Sequence, residues 1–252
     1  MSRTVIIVAM EREVKPLVQG WQQSSISDGS RSFHVFERDE LIVVISGIGR
    51  KHAEAASRAA LTQYRPAQLV SAGVAGALIR SMKAGSVVTP NIVVDAADGV
   101  EYRCSFEPGA VVGGGVLVTA DEIADADTKK KLVDGFHALV VDMEAAAVAR
   151  VAAEARLDFR CIKAISDETD FVIPPLRQFV DAEGNFLASR FALWTMLRPW
   201  RWANVAELGR NSAKAANALC EWLRKHLMAR SAPAEVVTLK RAELTDVVPG
   251  RR

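Results

Sequence analysis

Short, unbroken apolar runs alternate along this chain with stretches of helical period. Residues 4–9 (Thr-Val-Ile-Ile-Val-Ala) are apolar and β-branched without alternation, which predicts a strand buried on both faces. The charged stretch after it predicts a helix start over 13–17, with Pro16 tolerated in the first turn. Residues 33–37 and 41–46 read as a hairpin joined by the polar turn Arg38-Asp39-Glu40. Helical period returns over 51–64, with Pro66 as its stop. Further short strands are predicted at 68–71, 87–94, 115–119, 138–141 and 159–165. A small-residue loop is predicted at 72–77, and a hinge at Gly113-Gly114-Gly115. Helices are predicted over 122–133 with Asp121 as cap, in an alanine-rich stretch after 141, over 186–197 and over 203–228. Strands alternating with helices imply an α/β fold around a mostly parallel sheet.

The stretch Val140-Val141-Asp142-Met143-Glu144-Ala145 organises the rest. A buried strand runs there straight into a helix. Asp142 suits the N-cap, and Glu144 the first turn, because carboxylates complement the orphan amides and the dipole of a helix start. Two other strand ends also deliver a carboxylate: Glu13 follows the first strand and Asp167 follows the strand at 159–165. In a parallel sheet such ends share one edge, so Glu13, Glu144 and Asp167 are expected to converge.

Composition narrows the class. With 252 residues, half of them hydrophobic, the chain suits one large domain over 1–228 followed by a tail over 229–252, which carries Pro233 and Pro249. A net charge of +2 gives no basic stripe, so no nucleic acid is expected as partner. Cys104, Cys161 and Cys220 are far apart and odd in number, which fits a reducing cytoplasm. Glu11, Arg12 and Glu13 interrupt the first apolar run, so neither a signal sequence nor a membrane span is expected. The four histidines lack metal-ligand spacing. Asp121, Asp125 and Asp127 lack the glycine and terminal glutamate of a calcium loop.

Five motifs occur in order: Ala9-Met10-Glu11-Arg12-Glu13-Val14, Ser46-Gly47-Ile48-Gly49, Gly73-Val74-Ala75-Gly76, Val141-Asp142-Met143-Glu144-Ala145 and Ala164-Ile165-Ser166-Asp167. In order and spacing they resemble the purine nucleoside phosphorylase superfamily, and most of all its methylthioadenosine/S-adenosylhomocysteine nucleosidase branch. The resemblance implies a three-layer α/β/α fold with a twisted mixed, mostly parallel sheet, and a homodimer. It implies cleavage of the bond between ribose C1′ and purine N9, with no metal or organic cofactor. Glu144 would then bind the ribose hydroxyls over Met143. Asp167 would protonate purine N7, and Glu13 would activate the attacking water. Met10, Ile48, Gly73, Val74, Ile123, Asp142 and Ser166 would complete the substrate site.

Those residue types suit the chemistry. The transition state is oxocarbenium-like, so the purine must leave with its charge neutralised by an acid. That role asks for an Asp167 protonated by burial or by a neighbouring carboxylate. The water needs a base, and an ionised Glu144 is an acceptor for two hydroxyls. In phosphorylase relatives arginines for phosphate fall at Glu13 and near Ser71, so their absence favours water as nucleophile. Phosphorolysis is the alternative. Val74 replaces a serine and Ile123 an aromatic of the nucleosidases, which suggests as a second alternative a nucleoside-binding module without catalysis. Motifs from Asp167 to Asp170, at Ile173-Pro174-Pro175, at Asp181-Ala182-Glu183-Gly184 and at Leu197-Arg198-Pro199 resemble hopanoid-associated members, which act on adenosylhopane. The aromatic segment 186–202 then reads as core, as an apolar wall for a bulky 5′ substituent, or as a peripheral membrane-surface contact.

Overall fold

A computed structural model describes residues 3–29, 31–105, 114–121, 126–169, 171, 176–181 and 183–228. The chain begins with β1 (Thr4–Val8), α1 (Glu11–Val18), β2 (Gln22–Ser27), β3 (Ser32–Arg38), β4 (Leu41–Ile45) and α2 (Arg50–Tyr64). It continues with β5 (Gln68–Ala77), β6 (Val87–Val88), β7 (Ile92–Asp95), β8 (Glu101–Arg103), β9 (Val116–Thr119), α3 (Ala126–Phe136) and β10 (Ala138–Asp142). Then come α4 (Ala145–Glu154), β11 (Asp158–Asp167), α5 (Ala188–Met196) and α6 (Trp202–Leu223), the last extended by a π-helical turn over Arg224–Met228.

Among the described residues the strands form one mixed sheet in the order β2-β3-β4-β1-β5-β10-β9-β7-β8, with β11 paired to β5 and β6. The alternation of β1 shows how the layers arise. Val5 and Ile7 pack with Ala53, Ala56 and Ala60 of α2 and with the alanines of α4. Ile6 and Val8 face the opposite way, onto Val14 and Leu17 of α1 and Leu219 and Leu223 of α6. A strand with apolar residues at every position therefore builds both faces of a three-layer sandwich. No helix among the described residues is long and apolar enough to cross a membrane.

Several expectations change. The stretch 72–77, read as a loop, is the second half of β5, because it is hydrogen-bonded to both β11 and β10. Its small side chains look loop-like only in isolation. Ser166 and Asp167 lie inside β11, not after it. The run at 87–94 divides into β6 and β7, and the polar strand β2 carries no apolar run that would have predicted it. The helix α1 starts at Glu11, which moves Pro16 into its second turn. Asp121 pairs with Arg50 at 2.8 Å, while residues 122–125, part of the helix it was expected to cap, lie outside the described residues. Gly113, Asp170, the prolines at 174 and 175, and the tail 229–252 also lie outside them.

Convergence of the strand ends follows a different geometry from the one expected. β5 runs parallel to β1 and β11, but β10 meets its far end antiparallel, with Val141 opposite Gly76 and Val140 opposite Ala77. Glu144 therefore reaches the centre from the opposite direction to Glu13 and Asp167. The long strand β5 serves both groups of strands, and the site forms on it.

Candidate active site

β5 is the floor of the site, and its glycines let carboxylates lie directly on the backbone. A Cβ at Gly73, where φ is +146°, would stand 2.7 Å from Glu13 Oε2 and 3.8 Å from Lys163 Nζ. One at Gly76 would stand 2.8 Å from Asp167 Oδ2. Three residues along a strand span about 10 Å, so Glu13 and Asp167 rest at the two ends of such a span. Any side chain at 73 or 76 would push one of them away.

Glu144 is not needed to cap its helix, because other groups do so. It occupies the N-cap position of α4, yet its side chain makes no capping bond. The Ala145 amide donates to Asp142 Oδ2 at 2.9 Å instead, and the Ala146 amide donates to Thr119 Oγ1 at 2.9 Å. Thr119 Oγ1 in turn donates to Asp142 Oδ1 at 2.7 Å. Lys163 Nζ completes the set, 2.8 Å from Asp142 Oδ2. Both oxygens of Asp142 are thus engaged by the scaffold. The residue lines the cavity and anchors Lys163 and α4. Glu144 Oε1 accepts from the Gly49 amide at 2.8 Å. The Gly47-Ile48-Gly49 segment also receives the chain itself, since the Ile48 amide donates to Gly184 O at 2.9 Å.

Electrostatics follow from crowding three carboxylates around one ammonium. Burial, then repulsion from Glu144, pushes the Glu13 carboxyl up to about 8, against the pull of Lys163, Arg12 and the Val74 amide. Burial, then Asp142, pushes Glu144 up to about 7, against Lys163 and the amides of Gly49 and Met143. Burial alone would lower Lys163, but Asp142, Cys161 and Glu144 outweigh it and keep the ammonium charged. A buried lysine inside the apolar strand Phe159-Arg160-Cys161-Ile162-Lys163-Ala164-Ile165 requires such partners. That placement was the signal that could have revealed it in the sequence.

Asp167 stands in a separate arrangement. Its Oδ1 accepts from Ser166 Oγ at 2.9 Å, and its Oδ2 pairs with Lys129 Nζ at 3.0 Å. Both side chains of the pair are less than a tenth exposed. The expected neighbouring carboxylate is therefore an ammonium. Nothing in the run Lys129-Lys130-Lys131 distinguishes the buried lysine from its solvated neighbours. Lys129→Met removes one partner of a buried pair and is expected to cost about 3–5 kcal/mol. Adding Asp167→Asn should recover most of that loss, as denaturant unfolding of the four proteins of the cycle will show.

All these groups open into one cavity of about 1090 Å³. Met10, Glu13, Ile48, Gly73, Val74, Asp142, Met143, Glu144, Ser166 and Asp167 line it. Ile123 lies outside the described residues. The cavity continues past the carboxylates onto Phe186, Phe191, Val205 and Leu208, an apolar wall built by α5, α6 and the segment before α5. Trp194 does not line it, and packs instead against Phe179 and Phe191 at centroid distances of 5.6 and 6.1 Å.

A mixed sheet between helical layers with a carboxylate-lined cleft is an architecture shared with known proteins. The family model described as "Phosphorylase superfamily" matches residues 3–110 and 104–188. The chain belongs to this superfamily. It is 24% identical over 201 residues to the aminodeoxyfutalosine nucleosidase of Helicobacter pylori, covering 68% of this chain and 87% of that one. It is 28% identical over 197 residues to a 5′-methylthioadenosine/S-adenosylhomocysteine nucleosidase of Bacillus cereus, covering 66% and 85%. Its fold matches the S-adenosylhomocysteine nucleosidase of Streptococcus pyogenes, solved with 5-methylthiotubericidin, at a TM-score of 0.66 and 19% identity over 92% of this chain and 98% of that one.

Proposed function

We propose that the protein hydrolyses the N-glycosidic bond of a 5′-modified adenosine and releases adenine. One observation carries this reading: Glu13 Oε2 is buried against Gly73 and accepts no hydrogen bond from the described residues. A buried base with raised basicity and a free lone pair is suited to take a proton from water. In the proposed step the C1′–N9 bond breaks and its electron pair goes to the purine. N7 takes a proton through the Asp167 carboxyl, relayed from the paired Lys129 ammonium, which is left as a neutral amine until solvent restores it. Water adds to C1′ and gives its proton to Glu13, while Glu144 accepts from the ribose hydroxyls above Met143.

Electrostatics favours water over phosphate. A phosphate dianion would have to approach the buried carboxylates of Glu13 and Glu144. Three of the cations lining the cavity are paired with carboxylates: Lys163 with Asp142, Lys129 with Asp167, and Arg50 with Asp95 and Asp121. Val74 differs in side chain from the nucleosidase pattern, yet Glu13, a buried base that binding alone does not require, supports catalysis over a binding module.

The apolar wall of Phe186, Phe191, Val205 and Leu208 supports a large apolar 5′ substituent, the class to which adenosylhopane belongs, and with it a place in hopanoid biosynthesis. Free cysteines support a cytoplasmic setting, and the resemblance to the nucleosidases supports a homodimer. The test is a panel of 5′-substituted adenosines incubated with and without phosphate, with products separated by chromatography. Adenine and free sugar are expected at equal rates in both buffers. A strict need for phosphate, with sugar 1-phosphate formed, would overturn hydrolysis.

A further inference from the structure

The described residues leave few large apolar side chains in water: Val100, Met196, Leu197, Trp200 and Trp202, at 42, 71, 66, 73 and 54% exposure. Four of these five fall within seven consecutive positions, at the junction of α5 and α6. Scattered exposed apolar residues are ordinary, whereas a cluster containing two tryptophans marks an interaction surface.

The charges around the cluster indicate what covers it. Between positions 186 and 206 the chain carries Arg190, Arg198 and Arg201 and no acidic residue. Arg198 and Arg201 both lie over the Trp194 ring, at 4.6 and 5.4 Å from its centroid. The Trp202 indole N–H donates to Thr195 O at 2.9 Å, so its only polar atom is already satisfied. Indole and aliphatic side chains with arginines beside them match the boundary between lipid headgroups and acyl chains. Cations without acids match an anionic surface.

The position of the cluster connects it to the cavity. Trp202 begins α6, and one turn later Val205 lines the cavity wall. On the other side Phe191 of α5 lines the same wall, five positions before Met196. An apolar surface outside thus leads to an apolar wall inside.

We infer that this cluster docks the protein on the surface of an anionic lipid bilayer, with Met196, Leu197, Trp200 and Trp202 in the headgroup layer and Arg190, Arg198 and Arg201 on the phosphates. Docking rests on the cluster alone. Only its purpose, delivery of a nucleoside with a lipid-like 5′ group to the cavity, rests on the proposed hydrolysis.

The test uses the full chain and vesicles of phosphatidylcholine with or without phosphatidylglycerol, without substrate. Co-sedimentation should show binding at least about tenfold tighter to the anionic vesicles, lost in high salt. Leu197→Glu and Trp200→Glu, both at exposed positions outside the cavity, should abolish it and leave cleavage of a small water-soluble 5′-thioadenosine unchanged. No binding by the unmodified protein would overturn the inference. So would light scattering in which these variants turn a dimer into monomers while vesicle binding is absent, since the cluster would then face a second copy. Failure of the nucleosidase reading would appear separately, as absence of adenine release from every adenosine tested.

Discussion

Glu13→Gln is expected to lose about 10²–10⁴-fold in kcat on the preferred 5′-modified adenosine, the usual effect of removing a general base. The same substitution should make the protein more stable above neutral pH. The Glu13 carboxyl is raised from an ordinary value of 4.5 to about 8, chiefly by burial and then by Glu144. A group raised in the folded state contributes its full stability below the unfolded value and loses it as pH rises through the folded value. Glutamine has no such loss. The melting temperature of Glu13→Gln should therefore exceed that of the parent at pH 8, and the gap should close toward pH 5. A chain of this size gains about 2–4 °C per kcal/mol, so differential scanning fluorimetry resolves the effect. The parent's kcat/KM should carry the complementary signature. Glu13 at about 8 and Glu144 at about 7 must both lose protons, so activity should climb from pH 6 and level off above 8. A flat profile over that range, or an active Glu13→Gln, would remove Glu13 from the role of base.

Asp167→Asn should lose about 10²–10⁴-fold in kcat while retaining affinity for an adenine-containing inhibitor. The amide keeps the shape and the bond from Ser166 Oγ, 2.9 Å in the parent, but it delivers no proton to N7. It also leaves Lys129, 3.0 Å from the lost charge, without its ionic partner. A substrate whose base leaves without protonation separates the two consequences. Replacing adenine with a leaving group of low basicity should restore most of the rate if the loss is one of proton delivery. Equal loss on both substrates, with weakened inhibitor binding in calorimetry, would mean that Asp167 only shapes the pocket.

Most of the architecture was legible in the chain because apolar period reports burial directly. The run at 4–9, the hairpin across Arg38-Asp39-Glu40 and the helix ended by Pro66 all stand near their expected places. The errors have one physical origin, the override of local preference by partners distant in sequence. Small residues at 72–77 form a strand because β11 and β10 hydrogen-bond to them, and β2 is a strand because β3 pairs with it.

The sequence by itself determined an α/β chain with carboxylates where strands end and helices begin, since the order of apolar runs and the positions of Glu13, Glu144 and Asp167 are local facts. Only the tertiary structure decided how those groups act. It adds Thr119 to the cap of α4 that Asp142 was expected to give, and it turns Glu144 toward the cavity. It brings Lys163 to Asp142 and Lys129 to Asp167 across separations no local pattern records. It also divides the aromatic segment after Asn185, placing Phe186 and Phe191 on the cavity wall and Trp200 and Trp202 in water. Burial and proximity set the basicity of Glu13 and the pairing of Asp167, and both are properties of packed neighbours.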